Sequence, residues 1–539
     1  MIKNNNPIKQ FLKIIIKICF IVLFQFSTTS ESSLPKPPPI PVLPIPKSRQ
    51  ISWNIAEMAI FLHFGMNTFT GKEWGKGDVD PLIFNPTLLN ATQWVTVAKD
   101  FGFKRVLLTA KHHDGFCLWP SKYTDYSVKS SSWRNGYGDV VGELADAARK
   151  SGLELGLYLS PWDRHEHCYG ETLEYNEYYM GQMTELLTSN HFRSPRCQKT
   201  LLSRYGEVTY VFLDGAKGEG EKDMEYFFDD WFSLIHQLQP GASIFTDAGP
   251  DTRWVGNENG VAGTTCWSLF NGSAVTIGGD NDRIYTSEGD AFGQDWMPAV
   301  CDVSIRTGWF WHESEKPKSA MTLLDLYYKS VGRNCPLLLN VPPNSSGLIS
   351  DEDIQVLEEF SKLRNSIFSH NFAESALVSA SSTRGDSSDS QFAPMNVIEE
   401  GLYTYWTPDQ EQQSDWTLYL EFQQAITFNV LGLQEPIQMG QRISEFHLDM
   451  LDENGKWQHV VSGTTIGYRR LLLFPTVKSH LLRLVIDKSR ACPLISHIGI
   501  YMDSYSVTQH VSDTHNKSKF IDNFVFRRTA YNQSRSASI

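Results

Sequence analysis

Apolar runs of five to eight residues recur along roughly the first 340 residues of the chain. They are Met58–Phe64, Arg105–Ala110, Leu153–Ser160, Val208–Asp214, Ala242–Asp247 and Leu337–Val341. Because residues of both parities within each run are apolar, we expect strands that are buried on both faces.

Amphipathic helical segments separate several of these runs. Val140–Ala148 carries its apolar residues on one helical face, with Gly152 as the expected C-cap, and Phe227–Leu238 has the same spacing. Strands that alternate with helices predict parallel βα units. About 300 residues of such units favour a (β/α)₈ barrel. A doubly wound sheet is less favoured, because no glycine-rich dinucleotide fingerprint follows a strand.

The pattern changes after a predicted helix at Asp351–Phe368. Beyond His370, short alternating runs are typical of an all-β sandwich. They are Trp416–Phe422, Ala425–Leu433, Arg442–Leu451, Trp457–Gly463, His480–Ile486 and Ile495–Met502. Trp406 and Trp416 could stack on sugar rings or pack in the core, and we expect the sandwich mainly to brace the barrel.

These patterns divide the chain into five parts. The predicted order is a signal peptide (1–30), a proline-rich leader (31–50), the catalytic barrel (51–368), a β-sandwich (369–503) and a polar, disordered tail (504–539). The leader carries seven prolines within Pro35–Pro46, which predicts an extended segment outside the fold.

The N-terminus predicts export from the cell. Lysines interleave with an apolar run at Ile14–Phe26, small residues follow, and the run is shorter than a membrane span. A signal anchor is the alternative. No second long apolar run occurs, so we expect no membrane span in the mature chain and a location outside the cell or in its wall. Glycosylation sequons agree with this route and lie at Asn90, Asn271, Asn344, Asn516 and Asn532.

Charge and cysteine content narrow the function further. The net charge of −13 would repel a phosphate backbone, so nucleic acid is not an expected partner. Without Cys19, seven cysteines remain, and at least one cannot pair within the chain. No CxxC motif indicates a zinc site, and a bridge between Cys168 and Cys197 could staple a polar insert.

Polar and aromatic residues collect where the predicted strands end. In a barrel of this type, active residues lie at the carboxyl ends of the strands. The residues at these positions are His63, Glu73, Trp74, His112, His113, Tyr158, Asp214 and Glu258. Asp214 ends a wholly apolar strand, where an acid is costly without a task. With Glu258, in the loop after the next strand, it forms the carboxylate pair that glycoside hydrolysis needs.

The adjacent His112 and His113 also allow a metal site, with His63 as a third ligand. Adjacent strand residues point to opposite faces, which disfavours one ion bound to both. Alternatively the imidazoles bind the hydroxyls of a small polyol, with Trp74 and Trp309 as apolar walls. We therefore expect neither a metal nor a cofactor.

Eight segments of this chain resemble glycoside hydrolase family 29, the α-L-fucosidases. The segments are Phe61–Phe69, Glu73–Gly75, Ala110–Phe116, Val211–Gly215, Trp254–Glu258, Cys301–Arg306, Gly308–His312 and Leu337–Asn344. The resemblance spans roughly residues 51–365. The whole chain is similar to plant members of the family, and the sandwich is similar to galactose-binding-like, discoidin-type domains.

The resemblance implies a retaining mechanism on fucosylated glycans. Asp214 matches the nucleophile and Glu258 the acid/base. The positions that match fucose-binding residues are His63, Glu73, Trp74, His112, His113, Tyr158 and Trp309. The segments around Glu258 and Arg306 resemble a subgroup that prefers α-1,3/1,4-linked fucose. The sequence departs from the pattern at Val300, where an acid is usual, and at Thr307, where a proline is usual.

Two other classes of protein compete with this interpretation. One is an inactive barrel that only binds glycans, which the presence of both carboxylates disfavours. The other is a metal-dependent barrel hydrolase that uses His63, His112 and His113.

Overall fold

Eight parallel strands form a nearly closed barrel. The structure is a computed structural model, and it describes residues 36–188, 204–215, 217–218, 220–385, 390–409 and 416–506. The strands up to residue 340 are β1 (Met58–Leu62), β2 (Arg105–Lys111), β3 (Glu154–Leu159), β4 (Tyr210–Phe212), β5 (Ser243–Phe245), β6 (Arg253–Trp254), β7 (Leu269–Phe270), β8 (Asp295–Trp296), β9 (Ala299–Ser304) and β10 (Leu337–Asn340). The barrel order is β5-β4-β3-β2-β1-β10-β9-β6, and a bridge between Phe245 and Thr252 joins the two outer strands. The predicted barrel is confirmed.

Helices cover the outside of the barrel. They are α1 (Ser48–Ala56), α2 (Met66–Thr70), α3 (Ala91–Asp100), α4 (Val140–Ser151), α5 (Thr172–Leu187), α6 (Phe228–Leu238), α7 (Arg283–Glu288), α8 (Ala320–Lys329) and α9 (Asp351–Phe368). Helix α4 shows how the sequence sets its ends. The Asp139 side chain accepts from Gly142 N, and Gly152 adopts the left-handed conformation (φ 73°) that ends the helix.

The barrel is irregular on the side of β5 and β6. No helix separates these two strands in the described chain, and β7 and β8 pair antiparallel in the insert before β9. The sequence pattern did not predict β6 because this strand spans only two residues and one of them is Arg253. Arg253 is buried and donates to the carbonyls of Thr286 (2.9 Å) and Trp267 (3.0 Å). The pattern also missed β9 because polar residues interrupt that strand.

The C-terminal domain is an antiparallel sheet folded around its own apolar core. Its strands are β11 (Leu377–Ala380), β12 (Trp416–Gln434), β13 (Ile443–Leu451), β14 (Trp457–Gly463), β15 (Arg470–Ser489) and β16 (His497–Tyr501). The predicted all-β domain is confirmed, although two predicted runs are one long strand, β12. A register shift between Glu421 and Ile426 bends that strand. Trp406 is fully buried in the core, which removes it as a sugar-stacking surface.

The proline-rich leader lies against the C-terminal domain. Residues 36–47 form neither helix nor strand and bend at residues 43–44, whereas α1 begins at Ser48, inside the segment expected to be leader. Arg384 donates to Pro37 O (2.9 Å), Arg442 donates to Ile40 O (2.8 Å), and Val42 N donates to Met439 O (3.0 Å). The leader is therefore part of the packed molecule rather than a free linker.

Cys301, inside β9, forms a disulfide with Cys335, which lies two residues before β10. Their Cα atoms are 5.9 Å apart. Cys197 lies outside the described residues, so its proposed bridge to Cys168 stays a prediction. The signal peptide, Asn516, Asn532 and most of the tail also lie outside them. Within the described residues, helices long and apolar enough to span a bilayer are absent.

Candidate active site

The nine residues expected to form the site line one cavity of about 90 Å³ at the carboxyl ends of the barrel strands. Three further residues complete its wall: Phe61, Phe212 and Asp302. We call His63, His112, His113, Tyr158 and Asp214 the floor of the cavity, and Glu73, Trp74, Glu258 and Trp309 its rim. A second cavity, of about 340 Å³, adjoins the first and shares Phe212, Asp214, Glu258 and Asp302 with it.

Asp214 lies two residues beyond β4, where the strand opens into the cavity. The Tyr158 hydroxyl, from the end of β3, donates to its Oδ2 (3.2 Å). Nε2 of His113 lies 3.7 Å from the same oxygen. One third of the Asp214 side chain is exposed to the cavity and solvent, so a ligand can reach its carboxylate.

His113 is held in one tautomer by Ser160. The single Ser160 hydroxyl proton is donated to Trp162 O (2.6 Å), so Ser160 Oγ accepts from Nδ1–H of His113 (2.7 Å). Burial lowers the pKa of His113 to about 4, although the Asp214 carboxylate opposes that shift. At neutral pH Nε2 therefore carries a lone pair that can accept from a ligand hydroxyl.

Asn340 fixes His63 in the same way. Nδ2 of Asn340 donates to Ser304 Oγ (2.9 Å) and Trp309 O (2.8 Å), which leaves its Oδ1 to accept from Nδ1 of His63 (2.9 Å). Burial lowers the pKa of His63 to about 3. The structure therefore adds Asn340, at the end of β10, to the residues that shape the floor.

His112 lies between the other two imidazoles. Its ring centroid is 4.2 Å from that of His113 and 5.7 Å from that of His63. Burial lowers its pKa well below the ordinary value, and the two neighbouring rings add to the shift. Three neutral imidazoles thus offer hydrogen bonds without charge. Across the described residues, no group of three or more histidine, cysteine or acidic side chains has the geometry to hold a metal ion.

Glu73 ties two sides of the rim together. Its carboxylate accepts from the backbone N–H of Trp309 (2.8 Å) and lies 3.0 Å from Nε2 of His312. Glu73 follows β1 and Trp309 follows β9, so this contact holds the Trp309 ring over the cavity beside His63, with centroids 4.9 Å apart. Opposite them, half of Trp74 is exposed, and its ring meets His113 edge-on at 5.8 Å.

Glu258 reaches the rim from the loop after β6. Much of the residue is exposed, but crowding of its carboxyl group by the cavity wall raises its pKa, and the charges of Asp214 and Glu73 add to this. A hydrogen bond with the Trp309 side chain opposes the shift. A raised pKa favours the protonated form of the carboxyl group, which suits a general acid.

Asp302 is a buried acid that sequence reasoning missed. It lies inside β9, and Trp254 Nε1 donates to its Oδ1 (2.8 Å). Burial raises its pKa well above the ordinary value, and the charge of Glu258 adds to the shift. An acid among mostly apolar strand residues was the available signal. Val300, two residues before it, is fully buried, in an apolar cluster that Trp254 and Trp309 border.

Asp247 borders the second cavity. Gly278 N donates to both of its carboxylate oxygens (3.1 and 2.9 Å). Burial raises the pKa of Asp247 to about 6, and the charge of Asp214 acts in the same direction. Trp254 and Lys217 complete a polar wall beyond the two carboxylates of the first cavity.

Comparison with known proteins places this site in a family. The Alpha-L-fucosidase family model matches residues 48–365. Alpha-L-fucosidase 1 of Arabidopsis thaliana is 63% identical over 489 residues, which cover 90% of this chain and 93% of the relative.

Solved structures agree with the family model. The crystal structure of SpGH29 superposes with a TM-score of 0.80 at 38% identity and covers 86% of this chain and 100% of its own. A GH29 fucosidase of Ruminococcus gnavus in complex with fucose superposes with a TM-score of 0.78 at 32% identity, covering 88% of this chain and 99% of its own. The chain belongs to the alpha-L-fucosidase family, glycoside hydrolase family 29.

Proposed function

We propose that this chain is a secreted, retaining exo-α-L-fucosidase that releases terminal α-1,3- or α-1,4-linked fucose from glycans. The observation that carries this proposal is the meeting of two carboxyl groups, Asp214 and Glu258, over one small cavity lined by neutral imidazoles and indoles. Such a pair supplies a nucleophile and an acid/base for two displacements at an anomeric carbon.

In the first step, Asp214 attacks C1 of the fucosyl unit as the bond from C1 to the leaving oxygen breaks. Glu258, whose pKa is raised, gives its proton to that oxygen. The hydrogen bond from Tyr158 to Oδ2 holds the Asp214 carboxylate in place for the attack. The products are a covalent fucosyl ester on Asp214 and the free leaving sugar.

In the second step, the Glu258 carboxylate takes a proton from water, and the water oxygen attacks C1. The ester bond breaks, and Asp214 is released as a carboxylate. Two inversions give fucose with the configuration of the substrate.

The floor suits a small neutral sugar. His113 and His63 each present an unprotonated Nε2 as a hydrogen-bond acceptor, and His112 adds a third neutral ring. Trp74 and Trp309 offer indole faces to the apolar side of a sugar ring. A cavity of about 90 Å³ favours a single terminal residue over an internal segment of chain.

The linkage preference rests on the resemblance of segments 254–258 and 301–306 to one subgroup, and the second cavity has room for the leaving sugar. Incubation with a panel of α-1,2-, α-1,3-, α-1,4- and α-1,6-fucosylated oligosaccharides tests this preference, with the fucose released from each substrate as the measurement. Release of fucose from the α-1,2 substrate alone would overturn the linkage preference. Binding of the oligosaccharides without release of fucose from any of them would favour a catalytically inactive, glycan-binding barrel.

Secretion rests on the sequence of residues 1–30 and on the sequons. Asn90 is exposed at the start of α3, and Asn271 is half-buried. Asn344 is also half-buried, and its Nδ2, the atom that would carry a glycan, donates to Ser350 Oγ (3.3 Å). N-terminal sequencing of purified protein should begin near residues 27–33; an intact Met1–Ser30 segment would contradict export with cleavage.

Azide rescue tests the two roles through the products. In Asp214→Gly, azide should fill the space of the nucleophile and give β-fucosyl azide from an activated aryl α-fucoside, since only one displacement occurs. In Glu258→Ala, the ester still forms, so azide should give α-fucosyl azide. A β-product from Glu258→Ala would show that Glu258 is not the acid/base, and Asp247 would be tested next.

A further inference from the structure

A large cavity lies between the barrel and the C-terminal domain, away from the candidate active site. It has a volume of about 470 Å³, within the range of small-molecule sites. Helix α8 forms one wall, and the end of β14 with the start of β15 forms the other. It shares no lining residue with either active-site cavity.

The lining of this interdomain cavity is strongly cationic. Arg470, Arg333 and Lys329 border it, and Asp325 is the one acid among its described lining residues. Asp325 forms an ion pair with Lys329 (2.6 Å), and its charge also acts on Arg333. Neither guanidinium group of the lining forms an ion pair with a described carboxylate. The two arginines are also neighbours, because their backbones form an antiparallel bridge.

Arg470 carries the clearest signal. The residue is 5% exposed, and among the described residues no carboxylate charge acts on it. Its NH1 donates to Thr264 O (2.8 Å), while its buried Nε has no hydrogen-bond partner among the described residues. Burial lowers the pKa of Arg470 to about 10, and the charge of Arg333 adds to the shift.

A buried guanidinium beside a second one is unfavourable unless an anion compensates the charges. Arg333 adds a second positive charge, and its NH1 donates to a neutral acceptor, Ala262 O (2.7 Å). Guanidinium groups match the planar geometry of carboxylate and phosphate oxygens. Hydroxyl groups of Thr264, Ser462 and Ser506 also border the cavity and suit the polar remainder of a small ligand.

We propose that the interdomain cavity binds a small oxyanion, a carboxylate or phosphate group, between Arg470 and Arg333. The occupant bridges the two domains, because Arg333 follows α8 of the barrel and Arg470 begins β15. An acidic sugar and inorganic phosphate share the required chemistry. The proposal is independent of the fucosidase mechanism.

The test is isothermal titration of the full chain with sodium glucuronate, sodium phosphate and, at matched ionic strength, sodium chloride. We expect saturable binding of glucuronate or phosphate with a Kd of about 1 mM or tighter, and none of chloride. Binding of one and not the other identifies the source of the oxyanion. Equal heats from all three salts, or no saturable binding, would overturn the proposal.

Variants locate the binding. Arg470→Gln and Arg333→Gln should each weaken it about 10- to 100-fold, the range for hydrogen bonds between charged groups. Arg490→Gln is the matched control: Arg490 is also a partly buried arginine of this domain that donates to carbonyls, Gln441 O and Leu43 O, but it does not border the cavity.

If Arg470→Gln fails to fold, Arg333→Gln, which is half-buried, carries the test alone. Saturating fucose should leave the Kd of the anion unchanged. Binding that persists in Arg333→Gln, is lost in Arg490→Gln, or is displaced by fucose would overturn the proposal.

Discussion

The floor and the rim of the active-site cavity are built in different ways. Four of the five floor residues are at most 7% exposed, and hydrogen bonds from neighbouring strand ends fix their rings. The rim consists of loop residues; Trp74 is 51% exposed and Glu258 is also exposed. The difference suggests that the floor recognises one sugar precisely, while the rim meets glycans of varied shape.

The largest expected effect separates the proposed nucleophile on the floor from the proposed acid/base on the rim. Asp214→Ala should lower kcat at least about 10³-fold for every fucoside, because no other group can form the ester. Glu258→Ala should spare aryl fucosides with good leaving groups and lose about 10²–10⁴-fold on natural glycans. Steady-state rates on both substrate types check this, and equal losses in Glu258→Ala would contradict the division of roles.

The next effect tests how the floor holds its carboxylate. Tyr158→Phe removes the hydrogen bond to Asp214 Oδ2 and keeps the ring. A hydrogen bond to a charged group is worth about 1.5–3 kcal/mol, so kcat should fall about 10- to 100-fold. Tyr179→Phe is the control, because its buried hydroxyl donates to Leu159 O (2.6 Å) outside the cavity. It should lower the melting temperature and leave kcat within about twofold; similar kcat losses in both variants would point to general destabilisation.

A third prediction concerns pH. His113 has its pKa lowered to about 4, so it is neutral above that pH and cationic below it. Protonation converts Nε2 from an acceptor to a donor, and the inhibition constant of fucose should rise about tenfold for each pH unit below about 4. Inhibition is measured between pH 3.5 and 6.5, with circular dichroism as a check of folding.

Asp214→Asn sharpens this prediction, since direct fucose binding can be followed without turnover. The Asp214 carboxylate raises the pKa of His113, so its removal should move the inflection to lower pH. An inflection that stays in place, or moves to higher pH, would assign the titration to another group.

The smallest expected effect lies beyond the rim. Trp254→Phe removes the hydrogen bond to Asp302, a carboxyl group whose raised pKa favours the protonated form. The unfolding free energy should fall by about 1 kcal/mol in urea titration, the usual worth of one hydrogen bond. Aryl fucoside turnover should change less than about threefold, and a loss near that of Tyr158→Phe would place Asp302 among the floor residues.

The sequence predicted the floor better than the parts that support it. His63, His112, Tyr158 and Asp214 lie at or just beyond the ends of largely apolar runs, and this position marked them. Asn340 was missed as a positioning residue because an amide at a strand end carries no chemical signal until its two partners, Ser304 and Trp309, are known.

The fold was predictable where period and length agreed. Helix α9 was predicted with its observed bounds, Asp351–Phe368, because acids begin it and apolar spacing continues through it. Strand β6 has two residues, too few for any periodicity, and Arg253 within it is satisfied by carbonyls from a distant insert. The leader was misjudged for the same reason: its partners on the C-terminal domain are some 400 residues away in sequence.

That distance has a consequence for the order of events during synthesis. Arg442 is made 402 residues after Ile40, and Arg490 is made 447 residues after Leu43. At about 5–20 residues per second, a ribosome needs roughly 20–90 s to span the longer interval. Until then the leader cannot make its full set of contacts, and it stays accessible to any protein that binds the emerging chain. The leader can therefore dock completely only after Arg490 has been synthesised.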